Sequence, residues 1–261
     1  MPNAYRFSAN TGFLYPDLPF LERIRAAARD GFDAVEFHDE GQDCDRGALL
    51  EALHASGLPV TGLNARMGPS AGCAAIPGET SRARSEIDAA VELAEALDAG
   101  AIHVLAGKTD AAGARATFVD NLRYALSATS RTLLMEPLCS AKMPDYWLNS
   151  LDVALDIIEE IGDPRLRVMF DVFHIETEHG DTRARFERHA PHVGHVQLAS
   201  VPARAEPESG SSAHRLDTAV LLPAFRDAGY AGAFGCEYVP TPGLTEPLGW
   251  LQELKRRLAE S

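Results

Sequence analysis

Short apolar runs alternate with helical patterns along the whole of this chain, and this alternation restricts its fold more than any other feature. Eight runs have the length and composition of strands buried on both faces. They cover residues 5–9, 33–37, 58–63, 101–105, 132–136, 166–171, 193–197 and 233–237. Apolar positions at helical spacing predict helices between and after them, over about residues 17–31, 46–56, 81–97, 114–128, 150–161, 181–188, 218–228 and 247–259.

The strand and helix patterns form eight successive units at a spacing of roughly 30 residues. Alternating strands and helices indicate a parallel sheet, and eight units in a chain of 261 residues match the (β/α)8 TIM barrel. No linker, charge block or low-complexity tract divides the chain. We therefore predict a single (β/α)8 barrel domain over residues 1–261.

The charge balance argues against several kinds of partner. The chain has 24 Lys and Arg against 38 Asp and Glu, a formal charge of −14, which disfavours nucleic acid and anionic membranes. Its four cysteines form no CxxC pair, so we expect reduced thiols and no thiolate zinc site. Without an apolar leader or an 18-residue apolar window, we expect a cytoplasmic protein with no membrane span.

Polar residues end four consecutive predicted strands. They are Glu136, Asp171, Gln197 and Glu237, at the ends of strands five to eight. Side chains alternate between the faces of a strand, so all four can point to the barrel axis at its C-terminal rim. One such acid is as readily a helix cap or a salt-bridge partner, but four in register indicate a cation site. Carboxylate and amide oxygens favour Mg²⁺ or Mn²⁺.

An ordered series of short segments gives the chain a specific resemblance. The segments are RFSAN (6–10), GFDAVEF (31–37), AIPG (75–78), VLAGK (104–108), DNLRY (120–124), MEP (135–137), FDVFH (170–174), GHVQL (194–198), RAEP (204–207), GCEY (235–238) and GLTE (243–246). In this series the chain resembles the hydroxypyruvate isomerase family, within the xylose isomerase-like barrels that include 2-oxo-tetronate isomerases and ketose 3-epimerases.

The resemblance implies a metal-dependent isomerase of a small 2-hydroxy-carbonyl acid, such as hydroxypyruvate, tartronate semialdehyde or a 2-oxo-tetronate. It implies that Glu136, Asp171, Gln197 and Glu237 bind the Mg²⁺ or Mn²⁺ ion. It also implies that Glu136 and Glu237 are the catalytic acid–base pair, which transfers a proton through an enediolate on the metal. Chelation of the hydroxy-carbonyl unit would acidify the C–H beside the carbonyl.

Four further residues are predicted to contact the substrate. By resemblance His174 faces the substrate oxygens. Arg204 lies with Glu206 in the loop after strand seven and suits a substrate carboxylate. Lys108 follows strand four and either holds the other end of an acid or caps its loop.

Other polar residues on the strands have weaker expectations. Glu36 is either a support for the metal ligands or a structural ion pair. We expect His195 in the barrel interior beneath Gln197, His103 packed in its strand, and His38 lining the pocket.

Two loops depart from the family pattern and leave the substrate open. The loop after strand three lacks the Gly-Asp-Trp segment common in the family, and Ser211 stands where the family has an acid. A ketose 3-epimerase is therefore an alternative. An endonuclease IV-type phosphodiesterase is less favoured, because it calls for a basic face and more histidines, and both glutamates disfavour a non-catalytic binding barrel. By analogy with similar barrels, a homo-oligomer is an expectation.

Overall fold

Eight parallel strands pair in chain order and close into a barrel, with the last strand beside the first. A computed structural model describes residues 5–207, 216–242 and 248–260. The strands are β1 (Phe7–Asn10), β2 (Ala34–Phe37), β3 (Val60–Asn64), β4 (Ala101–His103), β5 (Thr132–Met135), β6 (Leu166–Asp171), β7 (Val193–Leu198) and β8 (Phe234–Cys236). The predicted (β/α)8 fold is confirmed.

Helices connect the strands on the outside of the barrel. They are α1 (Phe20–Arg29), α2 (Arg46–Ser56), α3 (Thr80–Leu97), α4 (Ala114–Ala128), α5 (Leu151–Ile161), α6 (Val172–Glu178), α7 (Thr182–His189), α8 (Thr218–Asp227) and α9 (Gly249–Glu260). Two short 3₁₀ helices cover Glu40–Gln42 and Ala190–His192. Across the described ranges, no helix combines the length and hydropathy that crossing a membrane requires.

The sequence patterns missed helix α6 and misplaced several strand ends. Helix α6 begins directly after β6, where Asp171 caps it by accepting hydrogen bonds from the backbone N–H groups of Phe173 and His174. Seven residues are too few to establish a helical period. Glu136 and Glu237 come directly after their strands, not within them. Residues 243–247, including the last resembling segment and the predicted helix start at Pro247, lie outside the described residues, as does Ser211.

Strand register brings the polar strand ends to one level. Asp171 lies opposite Gln197, and Gln197 lies opposite Gly235 on β8. Across the β1–β2 pair, Asn10 lies opposite Glu36. The C-terminal rim is therefore ringed by carboxylates and amides at bonding distance from one another.

The apolar residues divide into an outer layer and a small inner cluster. The large core lies between strands and helices, and it includes stacked aromatic rings such as Phe186 and Phe225, with centroids 3.7 Å apart. Ala101, Leu134 and Met169 form a separate cluster on the inward-facing side. The outer core supplies most of the burial, which leaves the barrel axis free to carry polar side chains.

Shortening Phe225 to alanine should destabilise the barrel strongly. The ring is fully buried, stacks on Phe186 and lies edge-on to Phe170. We expect Phe225→Ala to lower the free energy of unfolding by about 3–5 kcal/mol, measured by urea denaturation. Val220→Ala, on an exposed face of the same helix, is the control and should change it by less than about 0.5 kcal/mol. Equal effects of the two changes would contradict the packing described.

Candidate active site

A narrow cavity of about 80 Å³ opens at the C-terminal rim of the barrel. Its walls combine polar and apolar side chains. The polar part includes Glu136, His174, Gln197, Arg204 and Glu237, all of which were predicted from the sequence. Asp171 lies directly behind this wall, where its Oδ2 is 3.5 Å from Nη2 of Arg204. Six of the eight predicted site residues are thus brought together.

Two buried oxygens in this cavity lack hydrogen-bond partners among the described residues: Oε1 of Glu136 and Oε1 of Gln197. Leaving a buried oxygen unpaired costs about 1–3 kcal/mol or more, so unpaired atoms in a native cavity need an explanation. Both are hard donor oxygens at the rim, beside the carboxylates of Asp171 and Glu237. This donor set fits Mg²⁺ or Mn²⁺.

Glu237 is the most heavily bonded of the four. Its Oε2 accepts hydrogen bonds from Nδ2 of Asn10 and Nε2 of Gln197, both at 2.6 Å. Its Oε1 accepts from Nη2 of Arg204, also at 2.6 Å. Burial acts to raise the pKa of Glu237, but the nearby imidazole of His38 and the charge of Arg204 lower this pKa to about 2. The group is therefore a firmly ionised carboxylate.

Glu136 has the opposite electrostatic surroundings. Burial, followed by the charges of Glu237 and Asp171, raises the pKa of Glu136 well above its usual range. Two carboxyls of one cavity thus have their pKa values pushed apart. Such a division is typical of sites that move protons.

The two carboxylate oxygens of Asp171 have different partners. Oδ1 caps helix α6, as described above, while Oδ2 faces Arg204. Burial raises the pKa of Asp171 to about 7, although Arg204 opposes the rise. Asp171, Glu136 and His174 each offer an atom within 4.8 Å of the other two, which makes them a candidate metal cluster.

His174 is better suited to bind substrate than metal. Its Nδ1 accepts a hydrogen bond from the backbone N–H of Cys139 at 3.0 Å. Burial, with the charge of Arg204, lowers the pKa of His174 to about 3, so the ring is neutral. The network therefore assigns its single proton to Nε2. A protonated Nε2 donates a hydrogen bond and has no lone pair for a cation.

Arg204 occupies the cavity as a fixed cation. Its guanidinium bonds Glu237 and reaches Asp171, and it lies 4.8 Å from the ring centroid of Phe13 and 5.2 Å from that of Phe173. Ion pairs and aromatic faces on two sides hold the planar group in place. A guanidinium held in this way can bind a small carboxylate.

Two predicted substrate-binding residues are not brought to this cavity. Both oxygens of the buried Glu206 accept hydrogen bonds from Thr241, one from its backbone N–H and one from its hydroxyl. Glu206 thus ties the loop after β7 to the segment after β8. Lys108 is half-buried, its backbone pairs with Tyr146, and it lies outside the described residues that line the cavity.

Three further polar residues lie at this cavity, of which only His38 was expected to line it. Asn10 bonds Glu237 directly, and its position at a strand end was the signal that could have revealed it. His38 lines the cavity with Nε2 3.7 Å from Oε2 of Glu237. His103 also lines it, and neither ring nitrogen has a hydrogen-bond partner in the part of the chain that the structure describes. Burial lowers the pKa of His103 to about 3, so it is a neutral group open to a ligand.

The chain belongs to the xylose isomerase-like TIM barrel family, whose model matches residues 24–256. It is 38% identical to the 2-oxo-tetronate isomerase of Cupriavidus necator over 258 residues, covering 95% of this chain and 97% of that one. It is 33% identical to the hydroxypyruvate isomerase of Escherichia coli, covering 94% and 98%. The chain is therefore an isomerase of this family.

A solved structure agrees with the same architecture. The protein from Brucella melitensis described as an AP endonuclease of family 2 superposes with a TM-score of 0.88 at 33% identity. The match covers 95% of this chain and 98% of the other.

Proposed function

We propose that this protein is a divalent-metal-dependent isomerase of small 2-hydroxy-carbonyl acids, of the hydroxypyruvate or 2-oxo-tetronate type. The observation that carries the proposal is the meeting of four oxygen-bearing side chains, three in the cavity wall and Asp171 directly behind it. Two of the four have buried oxygens without a hydrogen-bond partner among the described residues. The names of the Cupriavidus necator and Escherichia coli relatives support the substrate class.

Glu136, Asp171, Gln197 and Glu237 are the residues that would hold Mg²⁺ or Mn²⁺. When bound, the ion would polarise the substrate carbonyl and acidify the neighbouring C–H group. Three carboxylates and one amide give a site of hard oxygen donors, which suits these ions better than zinc.

Glu136 is the group best placed to move the proton. Its Oε1 has no hydrogen-bond partner among the described residues, and its surroundings raise its pKa, so its carboxylate holds a proton more strongly than that of Glu237. Glu136 would take the proton from the hydroxyl-bearing carbon and return it to the adjacent carbonyl carbon. The hydroxyl proton would pass to the former carbonyl oxygen, so that the two carbons exchange their carbonyl and hydroxyl groups. Glu237 approaches from β8 as the second member of the pair, and return of a proton by Glu237 to the same carbon would give epimerisation instead.

Two residues would orient the substrate during this transfer. The Nε2–H of His174 donates to a substrate oxygen, because the bond that Nδ1 accepts from Cys139 leaves the ring proton on Nε2. Arg204 binds the substrate carboxylate through its guanidinium fork, exchanging part of its contact with Glu237 and Asp171. Together they place the reacting carbons against Glu136.

Deuterium exchange tests the proposal. The protein is incubated in D₂O with Mg²⁺ or Mn²⁺ and a panel of hydroxypyruvate, 2-oxo-tetronates and ketoses, and products are followed by NMR. We expect metal-dependent deuterium incorporation into the short acids, with the carbonyl moved to the neighbouring carbon. Incorporation without carbonyl movement would indicate an epimerase. Absence of metal-dependent exchange in every compound would refute the isomerase proposal.

The pKa values predict how metal binding depends on pH. Asp171, with a pKa of about 7, and Glu136 both hold protons at lower pH, and a cation must displace them. Raising the pH from 6 to 8 should therefore tighten Mn²⁺ binding by about tenfold or more. Titration calorimetry in buffers of different ionisation enthalpy would count the released protons. A flat profile with no proton release would contradict this assignment.

The same shifts predict a stability trend for the metal-free protein. The folded state keeps protons on Asp171 and Glu136 at pH values where the unfolded chain has released them. The contribution of these two carboxyls to the free energy of unfolding should then fall as the pH rises from about 4 to about 7, and bound Mn²⁺ should oppose the fall. His103 and His174, with pKa values lowered to about 3, contribute in the opposite direction over the same range, so the trend is measured as the difference between the unaltered protein and Asp171→Asn in urea denaturation.

A nuclease is the second candidate, because the similar Brucella melitensis protein is described as an AP endonuclease. The formal charge of −14 argues against a DNA-binding face. An abasic-site duplex, incubated with the protein and Mn²⁺ or Zn²⁺ at low salt, would decide the matter, and we expect it to remain uncut.

A further inference from the structure

The side-chain amide of Gln197 has a fixed orientation. Its Nε2 donates to Oε1 of Glu36 at 2.9 Å and to Oε2 of Glu237 at 2.6 Å. Carboxylates only accept, so a flipped amide would set its own oxygen against two carboxylate oxygens. The buried Oε1 of Gln197 is left without a partner among the described residues, as noted above.

Glu36 makes this contact from inside the barrel. It is buried on β2, outside the set of described residues that line the upper cavity. Its Oε2 pairs with Nε2 of His195 at 2.8 Å and accepts from the hydroxyl of Thr61 at 3.2 Å. Burial acts to raise the pKa of Glu36, but His195 and Gln197 lower it, so the group is an ionised acceptor. Glu36 touches neither the cavity space nor Arg204.

The two acceptors of Gln197 differ in how firmly they are held. Glu237 also bonds Arg204 and Asn10 and belongs to the donor set, so its contacts change when the site is loaded. His195 and Thr61, which bond Oε2 of Glu36, lie in the barrel interior and belong to no ligand site. Nδ2 of Asn10 also donates to Oε1 of Glu36, but at 3.4 Å this contact is longer than its bond of 2.6 Å to Glu237. Glu36 is therefore the contact that can hold the Gln197 amide in place both before and after a cation binds.

We propose that Glu36, supported by His195, is a positioning residue that aims the amide oxygen of Gln197 at the bound cation. The inference rests on the metal site of the proposed function and adds a residue to it. Neighbours that orient metal ligands typically account for 10- to 100-fold in metal affinity. Glu36 would act only through Gln197 and would never contact substrate or metal.

The carboxylate of Glu36 packs closely against Gly235 on β8. A Cβ atom at Gly235 would lie 2.5 Å from Oε1 and 2.7 Å from Oε2 of Glu36. Gly235 lies opposite Gln197 in the strand register. Gly235→Ala would therefore displace Glu36 from Gln197 while leaving both of those side chains chemically intact.

Mn²⁺ affinity of the substrate-free protein, measured by electron paramagnetic resonance and calorimetry, tests the role directly. We expect Glu36→Met to weaken Mn²⁺ binding by about 10- to 100-fold. In Glu36→Gln, the new amide can accept from Gln197 and donate to His195, so affinity should stay within about threefold. Equal losses in both variants would indicate a simple charge effect and would overturn the proposal.

A double-mutant cycle isolates the path through Gln197. In a Gln197→Ala background the ligand oxygen is gone, so Glu36→Met should cause no further loss of Mn²⁺ affinity. Gly235→Ala gives a second route should Glu36→Met fail to fold, and it should weaken Mn²⁺ binding by tenfold or more. Additive losses, or unchanged affinity in folded Gly235→Ala, would overturn the proposal. If the unaltered protein bound no Mn²⁺, that result would refute the proposed metal site and also the inference that rests on it.

Discussion

Glu136→Gln is expected to abolish deuterium exchange into the substrate, and Glu237→Gln to do the same. Glutamine matches glutamate in shape but cannot take a proton from carbon. Removing a general base costs roughly 10²–10⁴ in rate, and each change also removes a charge from the cation site. We therefore expect kcat to fall by about 10³ or more in each variant, measured by exchange in D₂O with saturating Mn²⁺.

A matched control separates chemistry from folding. Glu176→Gln changes another buried carboxyl, whose Oε2 accepts hydrogen bonds from Thr182, at a distance from the cavity. Its exchange rate should remain within about threefold of the unaltered protein, since glutamine keeps an acceptor. Full activity in folded Glu136→Gln or Glu237→Gln would refute the acid–base assignment. Comparing the two residual rates would show which glutamate carries the proton.

Arg204→Met should have the second largest effect, and it should be visible in two measurements. Loss of the guanidinium removes a charge-assisted contact to the substrate carboxylate, worth about 1.5–3 kcal/mol, so KM should rise by about 10- to 100-fold. It also leaves Glu237 and Asp171 without their counter-ion. The metal-free protein should lose about 3–5 kcal/mol of stability, as happens when one partner of a buried pair is removed.

Arg204→Lys and a shortened substrate provide the controls. Lysine keeps the charge but not the planar fork, so its KM should lie between those of arginine and methionine. A hydroxy-carbonyl analogue without a carboxylate should show the same KM in all three proteins. If Arg204→Met raised KM equally for both compounds, the carboxylate contact would be refuted. Added Mn²⁺ should restore most of the lost stability, because the cation replaces the missing charge.

The sequence identified the barrel and most of the rim because both depend on local patterns. Strand β6 was predicted with its observed bounds, and alternation placed Asp171 at its inward end. The same logic found Glu136, Gln197 and Glu237, since each ends an apolar run. Residues that act through contacts between distant strands gave no such pattern.

The hydrogen bonds of Gln197 are an example of contacts that local sequence patterns cannot predict. Its contact with Glu36 joins residues 161 positions apart, and it exists only because the barrel closes. The ring of His103, which has no hydrogen-bond partner among the described residues and lies 3.8 Å from Glu136, likewise becomes meaningful only when its surroundings are known. Glu206 was predicted to bind substrate from the loop sequence, but the fold of that loop turns its carboxylate to Thr241. Loop paths depend on tertiary contacts and not on periodicity.

Arg204 gives the metal-free barrel a positive charge of its own among the rim carboxylates. Because this guanidinium offsets part of the repulsion between Glu237 and Asp171, we expect the chain to fold without a divalent ion. When these ions are scarce, we expect the metal-free protein to remain folded but inactive. Adding the ion proposed above would then restore turnover without fresh protein synthesis.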